Sequence, residues 1–182
     1  MKKHYCILFL MIILVLLIGC NPLDNRPNAL KSTIEAFFDV QYDAYITMEY
    51  KNMTTFLDMS QIQNQNKVIA LKHLTTRRKY AAEKQYGYVE KNRFPITFQY
   101  HEIQFNENQA QVTLELELDQ TAAYPPFISS GEQVFTLELI DGFWRITNHI
   151  YDSLHEFELS TKDRITEFTT EQINSQVDLD YG

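Results

Sequence analysis

The spacing of the apolar residues in this 182-residue chain changes once, at Pro95, and that switch constrains the fold more than any other feature. Before it they recur in steps of three and four; after it they alternate. From Ala29 to about Tyr50, Leu30, Ile34, Phe37, Phe38, Tyr42, Tyr45 and Ile46 make one stripe of a long amphipathic helix. Met53, Phe56 and Leu57 predict a short helical turn ending near Asp58. A third helix is expected from Gln65 to Tyr86, stopped by Gly87, on a less clean stripe of Val68, Leu71, Leu74, Ala81 and Ala82.

Beyond Pro95 the period of two predicts strands. Ile96, Phe98 and Tyr100 alternate, and Ile103 and Phe105 resume in the opposite phase, which predicts a bulge near His101. Asn106-Glu107-Asn108 reads as a turn, and Val112, Leu114, Leu116 and Leu118 as a half-buried strand. A loop with Pro125-Pro126 leads to Phe135, Leu137 and Leu139. Asp141-Gly142 is a hairpin signal, and Trp144, Ile146, Asn148 and Ile150 form the returning strand. A last helix is expected from Thr161 to Asn174, anchored by Ile165, Phe168 and Ile173, with a frayed acidic end beyond Gln176. Helices on one face of a curved antiparallel sheet define an α+β domain.

The N-terminus reads as an address. Lys2, Lys3 and His4 precede an apolar run from Tyr5 to Ile18, followed by Leu17-Ile18-Gly19-Cys20. Basic start, short apolar core and small residue at a cleavage point make a secretory signal. The last four residues resemble the bacterial lipobox, and the resemblance implies that Cys20 becomes a lipidated N-terminus anchored to the cell membrane. Cys6 falls inside the signal, so the mature domain has no thiol for a disulfide, a nucleophile or a metal. The expected organisation is a signal over 1–19, lipidated Cys20 and a polar tether over 20–28, an α+β domain over 29–160, and a C-terminal helix and acidic tail over 161–182.

Charge excludes one class of partner. Without Lys2 and Lys3 the chain carries 14 basic against 24 acidic residues, a formal −10, which repels nucleic acid. The basic residues are segregated: Lys67, Lys72, Arg77, Arg78, Lys79, Lys84, Lys91 and Arg93 lie between Gln65 and Arg93 with only Glu83 and Glu90. Such a helix suits anionic lipid headgroups or cell-wall polymer, or else pairs with carboxylates of the same domain.

The strand Val134 to Ile140, the turn Asp141-Gly142 and the strand Phe143-Trp144-Arg145-Ile146 resemble the closing hairpin of the nuclear-transport-factor-2-like cone-fold superfamily. With the turn Tyr151-Asp152-Ser153, the segment Leu30 to Leu154 is similar to the N-terminal accessory domain that precedes a putative amidase domain in secreted Firmicute proteins. Nothing after Leu154 is long enough for that catalytic domain, so amidase activity does not carry over. The resemblance implies a cavity between sheet and helices, used by relatives for isomerase or dehydratase chemistry or for plain ligand binding. Relatives with this sheet often dimerise through it.

Acid–base chemistry in such a cavity needs an Asp or His opposed by a Tyr or a protonated acid. Asp39 and Asp43 lie beside the core stripe and read as solvated; Tyr42, Tyr45 and Tyr100 read as core residues with wet hydroxyls. His101 and His149 on the strands are further acid–base candidates, but His73, His101, His149 and His155 show no metal spacing, and alternation turns His149 away from the Trp144/Ile146 face. No cofactor motif and no catalytic motif occurs. Arg78 falls within the stripe of its helix, so its head must snorkel or find a partner; with Tyr45 and Tyr100 it is the ligand-binding candidate. The resulting expectation is a membrane-anchored extracytoplasmic lipoprotein, not an enzyme, that binds or assembles at the cell surface, with a protein partner or a second copy among its contacts. The alternatives are a small cavity enzyme of isomerase or dehydratase type and a regulatory partner of a cell-wall hydrolase.

Overall fold

A computed structural model describes residues 25–83, 92–161 and 170–181. The signal, Cys20, Gly87, Lys84, Lys91, Ile165 and Phe168 lie outside these residues.

The first helix, α1 (Arg26–Thr47), starts three residues earlier than the apolar stripe suggests, so the end of the expected tether is helical. Pro27 sits in its first turn, where a fixed φ and a missing N–H cost nothing. Leu30, Ile34, Phe37, Phe38 and Tyr42 are all buried, as the steps of three and four require. A 3₁₀ turn (Thr54–Phe56) follows, then α2 (Ile62–Glu83). The expected stripe of α2 is buried at Val68, Leu71 and Leu74, but so are Lys67, Thr75, Thr76 and Arg77. The stripe looks ragged in the sequence because α2 is covered on more than one side: α1 and the sheet touch one face, and two C-terminal helices touch the other.

Four strands, β1 (Thr97–Asn106), β2 (Gln109–Glu117), β3 (Gly131–Ile140) and β4 (Phe143–Ile150), form an antiparallel sheet in the order β1-β2-β3-β4. The α+β class expected from the period change is therefore the observed one. Asp141 and Gly142 both take positive φ, 52° and 80°, the mirror-image turn that matches the twist of a two-residue hairpin. The register of β1 on β2 slips between Tyr100 and Glu102, the bulge expected near His101.

A second bulge was not expected. Leu137 pairs with Ile146, yet Thr136 pairs with Asn148, so Thr147 has no opposite number and the side-chain phase of β4 reverses there. Trp144 and Ile146 point into the core, and beyond the bulge so does His149, which is buried. Simple alternation had turned His149 outward; the extra residue turns it in. The outer edge of β4 is covered by the segment before α2. Leu57 bridges Ile146, and the Ile146 carbonyl accepts from both Asp58 N at 3.0 Å and Asn64 Nδ2 at 2.8 Å.

The C-terminal region also departs from expectation. Helix α3 (Leu154–Thr161) begins directly after the Tyr151-Asp152-Ser153 turn. Helix α4 (Thr170–Tyr181) continues past Gln176 to the end of the described chain. It does not fray: Ile173 and Val177 are buried, and the Tyr181 hydroxyl accepts from Tyr50 N at 3.1 Å. Lys72 of α2 sits over the Tyr50 and Tyr181 rings and donates to the Tyr181 carbonyl at 3.4 Å.

Candidate functional site

The space between α1 and the sheet is filled. Phe37, Phe38 and Phe135 pack with the His149 ring, Phe98 lies against Phe38, and Trp144 closes the hairpin end. One open space among the described residues is at the side, where the start of α2, the bulged strand β4 and the start of α3 meet in a cleft of about 710 Å³. Its lining is polar, with Asn66 and Lys67 from α2, Thr147 and His149 from β4, and Asp152 and His155 from the turn and α3.

Local structure places each of these groups. Asn64 and Gln63 fasten the first turn of α2 onto β4, donating to the carbonyls of Ile146 and Thr147 at 2.8 and 3.0 Å. Lys67, one turn further on, therefore points inward. Tyr151 in the left-handed region (φ 72°) turns the chain sharply after β4, and Asp152 fixes the start of α3 by accepting from Leu154 N at 3.0 Å through Oδ1. The other carboxylate oxygen, Oδ2, faces Lys67 Nζ at 3.1 Å and His149 Nδ1 at 3.8 Å.

The result is a buried polar chain. Gln133 Oε1 lies 2.8 Å from His149 Nε2, so Gln133 fixes that edge of the ring. Lys67 Nζ also reaches Asn64 Oδ1 at 3.4 Å. The side chains of His149, Lys67 and Asp152 are 3%, 6% and 8% exposed, so the chain lies almost wholly out of solvent while bordering the cleft. His149 Nδ1, Asp152 Oδ2 and His155 Nδ1 have no hydrogen-bond partner among the described residues; the Lys67 contact is an ion pair off the hydrogen-bond axis.

Burial dominates the protonation of His149. Its ring stacks on Phe135 at 4.0 Å and meets the edges of Phe37 and Phe38, which strips water from the cation and pulls its pKa down to about 4. Asp152 works against that shift and Lys67 with it. A neutral imidazole with Nε2–H donated to Gln133 leaves Nδ1 as a lone-pair acceptor at the cleft.

The residues expected to bind ligand sit elsewhere. Arg78 and Tyr45 come together: Arg78 Nε donates to the Tyr45 carbonyl at 2.9 Å and its guanidinium covers the Tyr45 ring at 3.5 Å. That is the partner the helix stripe demanded, and burial lowers the guanidinium pKa. Tyr100 is on β1, its hydroxyl donating to Glu35 at 3.1 Å and its ring under Lys31; burial, then Glu35, pushes the phenol up. Neither Arg78 nor Tyr45 nor Tyr100 lines the cleft.

Asp39 and Asp43 are about half exposed and share Arg93. The basic segment divides: Arg93 serves those aspartates, Lys67 and Arg77 are buried against Asp152 and Glu158, and Lys79 is exposed. Burial pushes the Glu158 carboxyl up, but His73 and Arg77 together bring it below the usual range. His73 pairs with Glu158 and His101 lies near Glu115 on the surface. Among the described residues no group of three or more His, Cys, Asp or Glu is placed to hold a metal ion.

Sequence reasoning missed Lys67, Gln133, His149 and Asp152 as one site. Asp152 carried a signal as the acid of the turn after the Trp-Arg-Ile strand, and His149 as an acid–base candidate that alternation placed outward. No family model matches the chain, and no curated protein matches it.

Proposed function

We propose that this chain is a lipid-anchored extracytoplasmic protein whose α+β domain is a non-catalytic binding module, with the cleft beside β4 as its ligand site. The observation that carries the reading is His149 Nδ1, buried at the cleft with no hydrogen-bond partner among the described residues. A buried acceptor left unpaired costs about 1–3 kcal/mol, and a ligand that supplies a donor recovers it. Signal and lipobox support the location; among the described residues no helix is long and apolar enough to cross a membrane. Helix order and closing hairpin support the cone-fold resemblance. Arg78 and Tyr45 are assigned to fastening α1 to α2 rather than to ligand.

The test uses the full chain in phospholipid nanodiscs and a library of small neutral, cationic and anionic compounds. At least one class should raise the melting temperature saturably, and Asn66→Trp, which fills the cleft, should abolish the effect. No stabilising compound, or stabilisation indifferent to Asn66→Trp, overturns the site. The neutral His149 beside Asp152 also favours a second reading, the isomerase or dehydratase alternative, because it is placed as a base. Recovery of the bound compound unchanged after long incubation supports binding, and its conversion supports the enzyme.

A further inference from the structure

We infer that the ligand of the cleft is a neutral polyhydroxylated compound, a saccharide or polyol, with one hydroxyl seated among Lys67, His149 and Asp152. The inference rests on the cleft being a ligand site and adds the class of ligand.

Three kinds of group meet at the buried end of the cleft. Lys67 can only donate, Asp152 Oδ2 can only accept, and His149 Nδ1 accepts while its other nitrogen is held by Gln133. An ammonium would satisfy both acceptors but would sit against Lys67, which is 3.1 Å from the same carboxylate oxygen. A carboxylate or phosphate would suit Lys67 and be repelled by Asp152, by the Nδ1 lone pair, and by Glu138 and Glu156 on the cleft wall. A hydroxyl escapes both repulsions, accepting from Lys67 while its single O–H donates to one of the two acceptors, Nδ1 or Oδ2.

The rim argues the same way. Gln61, Gln63, Asn66, Gln109 and Asn148 bring five carboxamides to one cleft. Gln61 and Gln63 spend their amide N–H on Asp58 and on the Thr147 carbonyl. The side-chain amides of Asn66, Gln109 and Asn148 make no hydrogen bond to the described residues. A carboxamide offers a donor and an acceptor side by side, the complement of neighbouring hydroxyls and a poor match for a concentrated charge. The volume, about 710 Å³, is within the range of small-molecule sites.

The experiment is a titration of full-length protein, labelled with ¹⁵N-histidine and held in phospholipid nanodiscs free of sugar-based detergent. The probes are a panel of neutral sugars and sugar alcohols (glucose, maltotriose, glycerol and sorbitol), a diamine (1,4-diaminobutane) and a dicarboxylate (glutarate). A neutral probe should move the His149 Nδ1 resonance saturably. The joint change Asn66→Ala and Asn148→Ala, confined to the rim and safe for the fold, should weaken that binding about tenfold or more, as should Lys67→Met. Saturable binding of the diamine or the dicarboxylate, with none of the neutral panel, overturns the hydroxyl assignment and leaves the ligand site standing. No response from the neutral panel while the compound library yields a ligand sensitive to Asn66→Trp has the same meaning. Silence from every probe and from the library overturns both.

Discussion

Acid should weaken this fold through His149, and the size of the effect follows from its surroundings. The ring is stacked on Phe135, edged by Phe37 and Phe38, hydrogen-bonded to Gln133, and faced by Asp152 and Lys67. Burial holds its pKa at about 4, against about 6.5 in an unfolded chain. Above pH 6.5 the imidazole is neutral in both states and its contribution is fully present. Between pH 6.5 and 4 the unfolded chain takes up a proton that the folded chain refuses, so stability falls as pH falls. The loss across that window is about 3 kcal/mol, a large part of the 5–15 kcal/mol typical of a domain. Urea melts followed by Trp144, the single tryptophan, would be compared for the wild type and His149→Phe from pH 4 to 7.5. Phe keeps the stacking and removes the titration. It also strands Gln133, which shifts the whole curve but not its slope. The wild type should lose about 3 kcal/mol more than the variant between pH 6.5 and 4. Parallel profiles, or an imidazole titrating at pH 6 or above by NMR, would refute the reasoning.

Three further outcomes follow from other parts of the molecule. Arg77→Met leaves Glu158 buried without its main cation and should cost about 3–5 kcal/mol in urea melts, whereas the double change Arg77→Met/Glu158→Leu should recover much of it; a double variant no better than the single would contradict that account. Gly142→Val, at φ 80° in the β3–β4 hairpin, should destabilise by about 1–2 kcal/mol although nothing stands within 4 Å of its new Cβ, measured as a lowered melting temperature. Cys20→Ser should move the protein from the membrane fraction to the soluble extracytoplasmic fraction, and retention in the membrane would count against lipid anchoring at that residue.

The sheet was largely legible because half-buried antiparallel strands leave their alternation in the sequence, and Asp141-Gly142 names its turn. The bulge at His101 could be read because Tyr100 and Ile103 break phase on either side of it. The bulge at Thr147 could not: Trp144, Ile146 and Ile150 keep one phase in the sequence, yet Asn148 and Ile150 are exposed and His149 is buried. A polar residue facing a core of phenylalanines has no propensity signal to betray it. The candidate site was lost with that one residue, because Lys67 was hidden in a run of basic residues whose partners depend on where α3 lands. Helix α4 was misjudged for a related reason. Ile173, Val177 and Tyr181 recur every four residues, but the acidic positions between them outweigh so thin a stripe when it is read alone.

The Ile146 carbonyl, which receives both Asp58 and Asn64, ties the segment before α2 to the edge of β4, and local opening is expected there first. The sheet needs neither contact, since each strand is already paired with its sequence neighbour. Breathing of the segment from Leu57 to Lys67 would free the edge of β4, part Lys67 from Asp152 and admit water to His149, while β1, β2 and β3 stay protected. Amide exchange should therefore show the amides of residues 58 to 67 opening as one unit at lower cost than those of β2 and β3. A ligand held between that segment and β4 would close it, so occupancy would be written in exchange rates as well as in affinity.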